Sequence, residues 1–229
     1  MNWRDFWNSD TPIYVSERHK LLHYRLVARD LATLVPSPDA TVLDYGCGEA
    51  LAADEVARHA SSLILCDQAP LVRDRLKALF GANPKISVRA PEEIEALPSS
   101  SLDLVVMNSL VQYLSRTELE GLLRLWKDKL KSTGLLVIAD VVPPKVSPVT
   151  DAAALLSFAL RGGFLLAAVA GLVRTFFSDY RKIRGRLGLS QYEEADLLAL
   201  LGAAGFSAER WRPNLGHNQA RMTFLARPA

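Results

Sequence analysis

Thr41-Val42-Leu43-Asp44-Tyr45-Gly46-Cys47-Gly48-Glu49-Ala50 decides how this chain is read. A short run rich in β-branched and apolar residues ends abruptly in two glycines, and a helix-forming stretch over 50–60 follows. The pattern predicts a buried strand over 41–45, then a tight turn, then a helix. Glycine at such a turn lets the backbone reverse sharply and lets a ligand approach where a Cβ would otherwise stand. In open α/β sheets, ligands gather beyond the carboxyl ends of the strands.

Outward from this stretch the pattern repeats. Strands are predicted over 63–66, 86–90, 102–107 and 135–142, the last stopped by Pro143-Pro144. Helices are predicted over 16–35 with Ser16 as cap, over 70–81 opened by Pro70, over 116–130 and over 192–203. Two strands, 206–212 and 221–226, follow one another at the end. Alternating strands and helices imply a doubly wound, mostly parallel sheet, and a terminal hairpin places an antiparallel strand in it. The expectation is a single α/β domain with a seven-stranded sheet, a helical lid over 1–37 and an inserted apolar helical cap over 145–190.

The 229 residues carry a formal net charge of +2 and are 49% hydrophobic. That allows a substantial core, argues against disorder and leaves no strong basic field for nucleic acid. Cys47 and Cys66 form no disulfide framework, and the polar, aromatic start is unlike a signal peptide, so the simplest location is the cytoplasm. Residues 152–173 are strongly apolar, but Arg161, Gly162 and Gly163 interrupt them. The unbroken pieces, about ten residues each, fall short of the roughly 20 that span a bilayer.

The turn fits two cofactor classes. A dinucleotide site wants Gly-x-Gly-x-x-Gly with a pyrophosphate at the helix N-terminus. Here Leu51 takes the third glycine position, and Glu49 adds negative charge where an anion would sit. Asp44 and Glu49 suit a cation instead, such as a sulfonium with an ammonium. Asp67, at the end of the second strand, can accept hydrogen bonds from both hydroxyls of a ribose. A nicotinamide-dependent oxidoreductase is the second enzyme reading, and a non-catalytic binding protein using its apolar helices as an interface is the third.

The segment 42–50 resembles motif I of class I S-adenosylmethionine-dependent methyltransferases, with Ala50 where a third glycine is common. The resemblance extends through Asp67, the strand 102–107 with Asn108 and Ser109 at its end, the strand 135–142 and the turn at Gly205-Phe206, so it covers roughly 38–142 and 192–227. It implies S-adenosylmethionine as cofactor and S-adenosylhomocysteine as product. The cofactor contacts implied are Asp44, Gly46, Cys47, Gly48, Asp67, Gln68, Glu92 or Glu93 at the adenine, Asn108 and Ser109, with Tyr14 and Arg18 reaching in from the lid.

The acceptor site is expected outside this core. His19, His23, Leu26, Val27 and Asp30 share one helix face, and His19 and His23 stand at a metal-ligand i, i+4 spacing without an evident third ligand, so no metal is expected. His217, in the loop between the last strands, is the first candidate general base, and His23 is the second. Tyr180 and Arg181 are candidates for orienting the acceptor. The apolar stretch 152–177 suggests a small hydrophobic or aromatic acceptor, with O-methylation slightly ahead of C-methylation, or contact with lipid at a membrane surface, or a homodimer interface.

Overall fold

The computed structural model describes residues 14–176 and 189–229. Tyr180, Arg181 and the ends of the expected lid and cap lie outside them. Seven strands form one sheet: β1 (Thr41–Tyr45), β2 (Ser62–Cys66), β3 (Ile86–Arg89), β4 (Leu102–Asn108), β5 (Leu130–Val141), β6 (Phe206–Trp211) and β7 (Met222–Pro228). Their order is β3-β2-β1-β4-β5-β7-β6. β1 to β5 run parallel, and β7 pairs antiparallel with both β5 and β6. The expected doubly wound sheet with an antiparallel last strand is the observed one.

Alternation along the strands builds two cores. Val42, Leu63, Leu65, Leu104, Val106 and Val137 face one side, and α1 (Glu17–Ala32), α2 (Ala53–Arg58) and α3 (Pro70–Phe80) cover them. Leu43, Ile64, Val105, Met107, Leu136 and Ile138 face the other side. There α4 (Pro91–Glu95), α5 (Arg116–Lys129) and α8 (Glu194–Ala203) pack, with α6 (Pro148–Gly162) and α7 (Leu165–Phe176) between α5 and α8 in sequence. Capping chemistry fixes the helix starts: Ser16 accepts from the His19 amide, and Ser115 and Glu118 form a capping box.

Three departures from the sequence reading have local causes. α2 begins at Ala53 and not at Ala50, because Ala50 sits at φ 40° and Ala52 offers no capping side chain. β5 begins at Leu130, before Gly134, where a Cβ would lie 2.9 Å from Leu130 Cδ2 and from the Lys131 carbonyl oxygen. The five-residue α4 is too short to show a period in sequence. The two apolar helices turn where glycines predicted a hinge: Gly163 closes α6 in a left-handed conformation, φ 70°.

α6 and α7 pack on each other and on α1 through Ala159, Phe164 and Ala168, with Val15, Leu22 and Phe158 around them. Deeper in the fold, Trp126 is fully buried, points its Nε1 at Met107 Sδ 3.1 Å away and meets the Tyr45 ring edge-on at 4.9 Å between centroids. Trp126→Ala is expected to cost about 3–5 kcal/mol of unfolding free energy, read from denaturant titration.

Candidate functional site

The parallel strands deliver their carboxyl ends to one edge of the sheet. Past β1, the Gly46 and Cys47 amides both donate to the Cys66 carbonyl, at 2.8 and 3.1 Å. Gly46 and Gly48 sit at φ 76° and 57°. A Cβ on Gly46 would come within 2.9 Å of Leu110 Cδ2, and one on Gly48 within 3.1 Å of the Tyr24 hydroxyl oxygen. The Gly48 amide donates to Asp67 Oδ2 at 3.0 Å, and the Ala69 amide to Asp67 Oδ1 at 2.8 Å. Arg73 donates to the Asp67 and Gln68 carbonyls, 2.8 Å each, so the turn after β2 is fixed as well.

α1 lies over this turn. The Glu49 amide donates to the Tyr24 hydroxyl at 3.1 Å, and Lys20 Nζ stands 2.8 Å from Glu49 Oε2. At the ends of β4 and β5, Ser109 and Asp140 both take left-handed backbone conformations, φ 54° and 58°. Non-glycine residues rarely do so, and such strain gathers at sites of function. Ser109 Oγ donates to Asp140 Oδ2 at 2.8 Å. Beside them, Asn108 Oδ1 and Gln112 Oε1 are buried and have no hydrogen-bond partner among the described residues.

Opposite lies a wall of rings. His19 stacks on Phe164 (5.1 Å, 18°) and His217 on Phe158 (4.6 Å, 16°). His23 lies 5.9 Å from His217 and 5.6 Å from Tyr14 between centroids. Arg221 Nη2 bridges both oxygens of Asp151 on α6, at 2.9 and 2.8 Å, and Asn218 donates to Asp151 at 2.9 Å. Of these groups Tyr14, His19, His23, His217 and Arg221 line, with the glycine turn and the ends of β4 and β5, a cavity of about 1180 Å³.

Burial sets the protonation states. Loss of water lowers the His19 pKa to about 4 and the His23 pKa to about 3, with His217 and, for His23, His19 adding like charge. Burial also lowers His217, followed by the opposing pull of Asp151 and the push of Arg161 and Arg221. At neutral pH the trio is therefore neutral. Burial raises the carboxyls of Asp67 and Asp140, and burial followed by the charge of Asp67 raises Asp44 to about 7.

Residues 43–138 match the family described as a methyltransferase domain. Over those residues the chain is similar to that family. The whole fold is similar to magnesium protoporphyrin IX methyltransferase of Synechocystis PCC 6803, solved with bound S-adenosylhomocysteine (TM-score 0.58, 16% identity, 99% of this chain and 93% of that one). It is also similar to the YcgJ protein of Bacillus subtilis (TM-score 0.57, 14% identity, 81% and 70%). A third likeness is to an S-adenosylmethionine-dependent methyltransferase of Leishmania major (TM-score 0.59, 11% identity, 97% and 80%). No curated protein matches the chain.

The cavity gathers most of the side chains singled out in the sequence. Tyr14, His23, Gly46, Cys47, Gly48, Asp67, Gln68, Asn108, Ser109 and His217 all line the cavity. Four do not. Asp44 faces a separate void of about 30 Å³ beneath α1. Arg18 points away, and its Nε donates to the Gly162 carbonyl at 2.5 Å. Glu93 turns back to accept from the Ala90 amide at 2.7 Å, because it holds the N-terminus of α4, and Glu92 is also off the wall. Pro91 and Glu95 line the cavity in their place, since a helical turn there carries residue 95 onto the face of residue 91.

Sequence reasoning missed Tyr24, Leu110, Gln112, Asp140 and Arg221, which line the cavity, and Lys20, which ties α1 to Glu49. His217 stands close to the pair His19 and His23, yet among the described residues no group of three His, Cys, Asp or Glu side chains is arranged to hold a metal.

The raised Asp44 fixes a sign. Its pKa is about 7 in the fold against the ordinary 3.8. The unfolded chain loses this proton first, so the native state loses stability as pH rises from about 4 to about 7. Asp44→Asn removes that loss. The variant is expected to match the parent near pH 4 and to exceed it by up to about 4 kcal/mol above pH 7, in denaturant titrations across that range.

Proposed function

We propose that the chain transfers a methyl group from S-adenosylmethionine to a small hydrophobic or aromatic acceptor, O-methylation ahead of C-methylation. One observation carries the reading: the Gly46–Gly48 turn, cross-bonded to Asp67, shares a cavity with a strained pair of strand ends, an Asn108 Oδ1 that has no partner among the described residues, and the rings of Tyr14, His23 and His217. The cavity exceeds the roughly 300–1,000 Å³ of a single small-ligand site, which leaves room for a nucleoside and an acceptor together.

The residues present fit this cofactor. Asp67 spends one lone pair of each oxygen on backbone amides and keeps the others for ribose hydroxyls. The raised Asp67 and Asp140 carboxyls mark a pocket short of positive charge, which a cation relieves. When bound, S-adenosylmethionine supplies an electrophilic methyl on a positively charged sulfur.

The chain's own part is to hold, align and deprotonate. Gly46 and Gly48 let the backbone close on the nucleoside, and Tyr24 and Lys20 hold α1 over it. Tyr14, the His217–Phe158 stack and α6 keep water from the acceptor end. Asp140 and His217 take the acceptor proton. Asp140 has a raised pKa and is fixed in orientation by Ser109, while His217 presents a neutral imidazole. His23 is the weaker base, because an imidazole whose pKa is about 3 holds a proton poorly. Its Nδ1, which has no partner among the described residues, suits hydrogen bonding to an acceptor hydroxyl.

Calorimetry tests the cofactor: S-adenosylmethionine and S-adenosylhomocysteine are expected to bind and NAD is not. Asp67→Ala is expected to weaken both by about 10- to 100-fold with native circular dichroism. Binding of NAD alone would sink the reading. Transfer of labelled methyl from the donor into a small-molecule extract tests the chemistry. Asp140→Asn is expected to slow it by about 100-fold or more while S-adenosylhomocysteine affinity stays within about threefold.

A further inference from the structure

The α6–α7 hairpin turns the wrong faces outward for a helix pair in water. On α7 the inward residues are small, Ala168 and Gly171, while Leu165, Leu166, Val169, Ala170 and Val173 form a continuous exposed face. Leu166 is 87% exposed and Val173 60%. On α6, Val149 and Leu160 are 76% and 69% exposed, and Ala153 lies exposed between them on the same stripe. An ordinary monomer surface scatters such residues singly, whereas each of these two helices carries several along one stripe.

Charge says what covers this face. The single acid of the two helices, Asp151, is engaged inward with Arg221 and Asn218. The charges left at the edge of the face are exposed Arg161 and Arg174. A second copy of the hairpin would bring like charges together, while an anionic lipid surface neutralises them. No described helix is long and apolar enough to cross a membrane, so the hairpin suits the interface and not a span.

We propose that the α6–α7 hairpin docks on an anionic lipid surface, with its apolar faces at the acyl–headgroup boundary and its arginines at the headgroups. This goes beyond the methyl-transfer reading and stands on separate residues. It also gives an apolar acceptor a route, since Phe158 of α6 stacks on His217 at the cavity wall.

Co-sedimentation of the full chain with phosphatidylcholine vesicles, with and without phosphatidylglycerol, tests it. The chain is expected to sediment with the phosphatidylglycerol vesicles and to come off as salt rises. The double variant Leu166→Asp/Val169→Asp is expected to lower vesicle partitioning about tenfold or more. Leu166→Ser/Val169→Ser serves if the acidic pair fails to fold, and thermal unfolding checks each protein. Arg174→Glu is expected to weaken binding to the anionic vesicles alone. No sedimentation of the parent chain, or equal sedimentation of parent and double variant, overturns the proposal. So does a dimer, seen by light scattering, that the double variant dissociates while neither protein binds vesicles. Vesicle binding in a chain that binds neither S-adenosyl compound would leave this proposal standing and remove the methyl-transfer reading.

Discussion

The hydrogen bond from the Gly48 amide to Asp67 joins the ends of two neighbouring parallel strands, and the arrangement of the cavity depends on it. Parallel strands have no hairpin to fix where their carboxyl ends point. Here the two amides that bond to the Cys66 carbonyl, and the third that bonds to Asp67, stitch the turn after β1 to the end of β2. Leu110 and Tyr24 then approach so closely that only glycine fits at 46 and 48. α1 takes its position from the same turn, through Tyr24 and Lys20, and brings His19 and His23 to the cavity wall.

The electrostatics follow from burial more than from charge count. Three histidines held among aromatic rings are kept neutral, and three carboxyls are pushed upward. The buried Asn108 and Gln112 oxygens and His23 Nδ1 have no hydrogen-bond partner among the described residues. An unpaired buried polar group costs roughly 1–3 kcal/mol, a cost that a hydrogen-bonding ligand or water would offset.

The sheet was legible because each strand is a short apolar run ended by a turn signal, as at 41–45 before Gly46 and 102–107 before Asn108. The glycine turn and Asp67 were legible because their order along the chain carries the chemistry. Asp140 was not: it sits inside the apolar run 135–142, and a left-handed aspartate leaves no mark in sequence. Nor were Tyr24 and Lys20, whose roles depend on how α1 lies across the sheet. Glu92 and Glu93 rested on the resemblance alone, and a single helical turn has no period that could single out Glu95; Arg18 was assigned inward although the end of α6 claims it.

Asp151 belongs to the hairpin, yet its carboxylate is held by Arg221 and Asn218, the residues flanking the loop of His217. Outer helices and inner wall are thus tied by an ion pair, beside the stacking of Phe158 on His217 and of Phe164 on His19. Thermodynamic reciprocity then applies: if filling the chamber alters how tightly the helices grip their surroundings, those surroundings alter how tightly the chamber grips its contents, by the same factor.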